Sequence, residues 1–177
     1  MNDAALNAAT GATMAESNLK RFERVWSEYG GALGRVVSTY ARPGADHDDL
    51  AQEIALALLG ALPRFRGESS EKTFVLRVAH NRGLKHALKR QPLAEPPETA
   101  DPAPGPDEAL ERARQIERLF QAIRQLPLGQ REVLALALEE LSHDEIATIL
   151  GITANNVGVR LSRARDTLKT LLKEDRS

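Results

Sequence analysis

The sequence predicts an all-α protein of two small helical domains joined by a Pro-rich acidic linker. Apolar residues recur at three- and four-residue spacing along most of the chain, and no segment alternates cleanly with period two, the mark of a half-buried strand. Six of the nine prolines fall between Pro92 and Pro106, a run that neither a helix nor an inner strand tolerates. A length of 177 residues fits one medium domain or two small ones, and the proline run favours two.

The first 17 residues, rich in Ala, Thr and Asn, offer little to bury and are expected to form a disordered tail. They lack the basic start and apolar core of a signal peptide. The first helix follows, with Phe22, Trp26 and Tyr29 at i, i+4 and i+7, then Leu33, Val36, Val37 and Tyr40, and it stops at Pro43-Gly44. A second helix opens with Asp46 as expected N-cap and carries Leu50, Ile54, Ala57, Leu58 and Ala61 before Pro63. The loop RFRGESS, Arg64 to Ser70, leads to a third helix from about Glu71 to Arg90. These elements make a first domain over 18–90. The linker, 91–106, is expected to be semi-extended, with a reach on the order of 50 Å at about 3.1 Å per residue.

The second domain, 107–177, opens with a helix from Asp107 to Gln125 bearing Leu110, Ile116, Leu119, Phe120 and Ile123. Leu126-Pro127 breaks it, and Gln130 to Glu140 forms a short helix. The next stretch, LSHDEIATILGITANNVGVRLSRAR from Leu141, is the most informative. Ser142 and Glu145 form an S-x-x-E capping box, and Gly151 supplies a left-handed stop. Thr153 caps the following helix, whose buried stripe is Val157, Leu161, Ala164 and Leu168. Asn155, Asn156, Val159, Arg160, Ser162 and Arg163 are left outward. Amides near a helix N-terminus followed by guanidinium groups suit base edges first and phosphates next. The pattern is a helix-turn-helix whose second helix reads duplex DNA. Gly158 inside that helix costs roughly 1 kcal/mol against alanine or marks a close approach.

Charge is nearly balanced, 24 basic against 25 acidic residues, but it is segregated. Arg64 to Arg90 holds eight basic and two acidic residues, while Pro43 to Pro63 holds four acidic and no basic ones. Such segregation provides basic faces for a polyanion and an acidic face for a basic partner. Arg64 and Arg66 are placed to bind phosphates, and the loop that carries them can hold an unstacked base. Phe65 reads equally as a base platform and as a core anchor. Arg77, Asn81, Arg82, Lys85 and Lys89 continue a basic stripe along the third helix. Asp49, Gln52 and Glu53 form an acidic protein-docking face.

There is no cysteine, which rules out disulfides and thiolate metal sites. Asp49 and Glu53 share a helix face, a spacing that can chelate magnesium, yet no second acidic cluster sits where a two-metal nuclease needs one. No nucleophile–base pair, phosphate loop or dinucleotide fingerprint occurs, so no enzyme activity, metal or cofactor is expected. No apolar run approaches a membrane span.

These residues resemble a bacterial extracytoplasmic-function (ECF) sigma factor, a two-domain specificity subunit of RNA polymerase. The resemblance runs from about Asn18 to Lys173. It is carried by DHDDLAQE and ALPRFRGESS in the first domain, and by LPLGQREVLAL, LSHDEIATILGI and VRLSRAR in the second. It implies that Asp49, Gln52 and Glu53 dock on the clamp helices of core polymerase. It implies that the loop and third helix, with Arg64, Phe65, Arg66, Glu68, Ser69, Arg77, Asn81, Arg82 and Lys85, engage the opened minus-ten promoter element. Thr153, Asn155, Asn156, Val159, Arg160 and Arg163 would read the minus-thirty-five element. The acidic linker would thread the RNA exit path. An anti-sigma partner, a monomeric free state and a cytoplasmic, nucleoid-associated location are implied as well. The family usually has tryptophan at Phe74, arginine at His80, a basic residue at Gly158 and tyrosine at His143. A stand-alone helix-turn-helix regulator is the alternative, and it would pair as a dimer on two half-sites.

Overall fold

The computed structural model describes residues 3–89 and 107–174. Among them, all regular structure is helical. The linker expected at 91–106 lies outside the described residues.

The first module is built from α1 (Asp3–Tyr40), α2 (Ala45–Ala61), a 3-10 turn (Leu62–Arg64) and α3 (Glu71–Lys89). The tail expected over 1–17 is instead helical from Asp3, in line with α1. Its Ala, Leu and Met content has high helix propensity, and an existing helix elongates without a new nucleation cost. The three helices pack pairwise. Their apolar stripes converge in Leu33, Val36, Val37, Leu50, Ile54, Leu58, Leu76 and Ala79, all buried. Each large side chain buried this way contributes roughly 1.5–3 kcal/mol. Polar clasps fix the helix ends. Arg24 and Arg21 on α1 both reach Glu71 in the first turn of α3, at 2.7 and 3.4 Å. Arg24 holds the Glu71 carboxyl below its usual range.

Asp46 does not cap α2 as expected. Gly44, at φ 90, takes the N-cap position without a side-chain bond. The Asp46 carboxylate instead accepts from the Arg42 backbone N–H at 2.6 Å and meets His86 Nε2 of α3 at 2.8 Å. It therefore ties the α1–α2 turn to α3, a tertiary demand that outweighs local capping.

The second module comprises α4 (Asp107–Gln125), α5 (Leu128–Ala137), α6 (His143–Leu150) and α7 (Ala154–Glu174). Helix α5 ends three residues before the expected Glu140. The chain there turns through Glu140, which adopts a left-handed φ of 60. α7 packs against α4, α5 and α6 around Val133, Leu136, Ile146, Val157, Leu161 and Ala164. α1 packs on α4 and α5, and α3 meets α6, so the two modules lie against each other.

Candidate nucleic-acid interface

The helix-turn-helix is assembled by local signals. The Ser142 side chain accepts from the Glu145 N–H at 3.2 Å, and Glu145 returns an acceptor to the Ser142 N–H at 2.9 Å. Gly151 ends α6 at φ 66, where a Cβ would be strained. Thr153 Oγ1 accepts from the Asn156 N–H at 3.2 Å, which starts α7. Asn155, Asn156, Val159 and Arg163 are exposed on one face. Arg160 departs from that face. It is half-buried, and its guanidinium lies over Gly129, where a Cβ would be 3.2 Å from Nη1. Its charge also eases the burial of Glu132, whose carboxyl is raised above the usual range by desolvation. Gly158 marks no close approach within the protein: a Cβ there would meet the His143 ring at 3.7 Å, an ordinary contact. Two of the departures from the family pattern thus lie side by side.

In the first module, the loop after the 3-10 turn turns at Gly67, φ 76. Ser70 caps α3 by accepting from the Thr73 N–H at 3.0 Å. The Phe65 and Phe74 rings lie 4.6 Å apart, and Arg21 and Arg77 stand over them at 5.5 and 5.7 Å. Together with Arg64, Arg66, Glu68 and Ser69 these rings line a cavity of about 250 Å³. Phe65 stands as a wall of the cavity, half-buried against Phe74 and under Arg21, while Phe74 is the ring that packs on the core. The cavity has aromatic faces for stacking, cations for a phosphate and a carboxylate and hydroxyl that can hydrogen-bond a base edge. A second hollow, about 380 Å³, runs between α2 and α3 and is edged by Arg64, Asn81, Arg82 and Lys85.

The acidic face is only partly as expected. Asp49 and Gln52 are exposed, but Glu53 is half-buried and turned toward His86 Nδ1 at 3.6 Å. Sequence reading missed Leu56, which is 64% exposed one turn beyond Gln52. The signal was available: Leu56 falls outside the Leu50, Ile54, Leu58 stripe. It also missed Tyr40 and His80, a buried pair joined at 2.8 Å. Burial lowers the His80 pKa to about 4, so the ring is neutral near pH 7. With the Tyr40 hydroxyl donating to Nδ1, Nε2–H faces Glu132 at 3.7 Å.

Residues 25–92 match the family Sigma-70 region 2, and residues 116–168 match Sigma-70, region 4. The chain is 34% identical over 140 residues to RNA polymerase sigma factor YlaC of Bacillus subtilis, covering 72% of this chain and 78% of that one. It is 34% identical over 142 residues to ECF RNA polymerase sigma factor SigD of Mycobacterium tuberculosis, covering 75% and 66%. The chain belongs to the ECF sigma factors. The structure of the sigma factor CnrH, in complex with the cytosolic domain of CnrY, superposes with a TM-score of 0.66 at 27% identity. That match covers 93% of this sigma factor and 95% of CnrH. The protein is thus a transcription initiation factor that binds core RNA polymerase and directs it to promoters. Matches to both regions disfavour a stand-alone helix-turn-helix regulator. No described helix is long and apolar enough to cross a membrane.

Proposed function

We propose that this sigma factor divides its work among three faces. The first module, 18–90, docks on polymerase through Asp49, Gln52 and Leu56, with Glu53 supporting the face from its edge. The same module captures an unpaired base of the minus-ten element in the loop cavity. Arg64, Arg66, Arg77, Asn81, Arg82 and Lys85 hold the strand's backbone. The module 107–177 reads the minus-thirty-five element through Asn155, Asn156, Val159 and Arg163, with Thr153 setting the start of α7. Arg160 reaches a phosphate only by leaving α5. Residues 91–106 connect the modules along the path of the emerging RNA.

The observation that carries this reading is the loop cavity, with its two aromatic walls and ring of arginines. Holding a base out of the stack costs a few kcal/mol, and a preformed pocket offsets it. The protein therefore opens DNA by shifting an equilibrium, without catalysis of its own. Its place of action is the cytoplasm, at the nucleoid, where polymerase and promoters are. A free monomer held in check by an anti-sigma protein fits CnrH, solved with a cytosolic partner domain. Run-off transcription with purified core polymerase, followed by sequencing of start sites, is expected to show a discrete promoter set. Failure to bind core polymerase in pull-down at low micromolar concentration would end this reading.

A further inference from the structure

On the outward face of α7 one side chain differs in kind from the rest. Val157 and Leu161 are buried, at 0% and 3% exposure. Two residues turn an α-helix by about 200°, so Val159, midway between them, points away from the core. It is 40% exposed. Among the described residues, the other exposed side chains of α7 are polar or charged. Asn155, Asn156, Ser162 and Arg163 flank Val159 one turn to either side, and Gly158 directly before it brings no side chain to the surface. An isolated apolar residue in water is ordinary on a protein surface. Val159 is set apart by its place, at the centre of a face whose amides and guanidinium suit base edges and phosphates.

In the major groove every base offers hydrogen-bonding groups, and thymine alone adds a methyl group. No hydrogen bond can read a methyl. An apolar side chain can, by taking it out of water. Valine is suited to this, because its branched Cβ holds it in one helical rotamer about nine-tenths of the time. Its two methyl groups are thus aimed in advance, and little side-chain freedom is lost on contact. Helix geometry sets the register. From Asn156 to Val159 the axis rises about 4.5 Å, at about 1.5 Å per residue. One base-pair step is roughly 3.4 Å. With the helix laid in the groove and the Asn156 amide on an adenine edge, Val159 falls over the adjoining base pair.

We propose that Val159 selects a thymine in the minus-thirty-five element by apolar contact with its C5 methyl group, in the base pair next to the one read by Asn156. The proposal rests on the reading of module 107–177 given above. Its test uses holoenzyme, the chain bound to core polymerase, on a promoter found by start-site sequencing. Each thymine of the upstream element, on either strand, is replaced in turn by deoxyuridine, which keeps every hydrogen-bonding group and removes only the methyl. At one position the replacement is expected to weaken promoter binding by the parent roughly fourfold, the contribution of one methyl taken from water. Val159→Ala is expected to bind the unaltered promoter more weakly by a similar factor and to lose nothing further at that position. This substitution removes exposed atoms and raises helix propensity, so the fold withstands it. Deoxyuridine without effect at every position overturns the contact. So does an equal loss for the parent and Val159→Ala, or an upstream element with no thymine on either strand. A scrambled upstream element bound as tightly as the intact one would sink the reading of the whole module, and the contact with it.

Discussion

His80 is a histidine kept neutral by burial, and that has a consequence for stability. Its ordinary value of 6.5 falls to about 4 in the folded protein. Between those values the unfolded chain takes up a proton that the native state refuses. Stability is therefore complete above pH 6.5, falls as the pH drops through this window and levels off below about 4. The loss is on the order of 3 kcal/mol for a shift of this size. Urea melts from pH 7 to pH 4 are expected to show a steeper decline for the parent than for His80→Gln, since the carboxylates titrate in both. Equal slopes would remove His80 as the cause. Its neighbour Gly83 is set by the same Tyr40 ring. A Cβ at Gly83 would overlap that ring, 2.8 Å from Cγ, and Tyr40 is 3% exposed and anchored on His80. Gly83→Ala is expected to cost about 1–3 kcal/mol, as overpacking of a tight core does, read as a lower midpoint in urea.

At the scale of elements, α7 separates two kinds of contact. Asn156 stands at the exposed start of the helix and Arg163 two turns later on the same face. Amides near the start reach base edges, and a guanidinium further along reaches phosphate. Arg163→Ala is expected to weaken promoter binding evenly across sequences and to reduce the slope of log K against log salt by about 1. Asn156→Ala is expected to change the preferred upstream sequence. An unaltered preference in a randomised-promoter screen counts against base readout by Asn156. This helix was legible in advance because its signals are local. Ser142 with Glu145, Gly151 and Thr153 act over one to four residues, and a chain carries such contacts wherever it goes. The Arg160 position was not legible. Its side chain is drawn aside by a missing Cβ at Gly129 and the carboxyl at Glu132, on another helix.

For the whole molecule, the proposed docking residues Asp49 and Gln52 take no part in lining the loop cavity, and the losses on changing each set are expected to differ. Asp49 and Gln52 are both exposed, so Asp49→Lys with Gln52→Lys reverses the face at a stability cost usually under about 0.5 kcal/mol. Glu53 is left intact because it faces His86. This variant is expected to lose core binding. Arg66→Ala with Glu68→Ala is expected to keep core binding and lose opening of the minus-ten element. Permanganate footprinting on duplex and pre-opened bubble promoters distinguishes them. Bubble DNA is expected to rescue part of the loop variant's activity and none of the docking variant's. A like response from both would mean the two faces are not separate.

The chain by itself determined the helices, their apolar stripes, the helix-turn-helix and the basic loop, because periodicity, capping and charge segregation act along the sequence. The family followed from the order of those motifs. Only the tertiary structure decided that Phe65 stacks on Phe74 as a wall of the loop cavity and that Glu53 turns toward His86. It alone brought Arg35 to Glu139 and His80 to Tyr40. Those pairs lie 104 and 40 residues apart, and nothing near either partner marks the other. An arginine on an amphipathic helix reads the same whether it meets water or a carboxylate buried in the neighbouring module. Packing selects between the two, since water removed from a charge must be replaced by a partner.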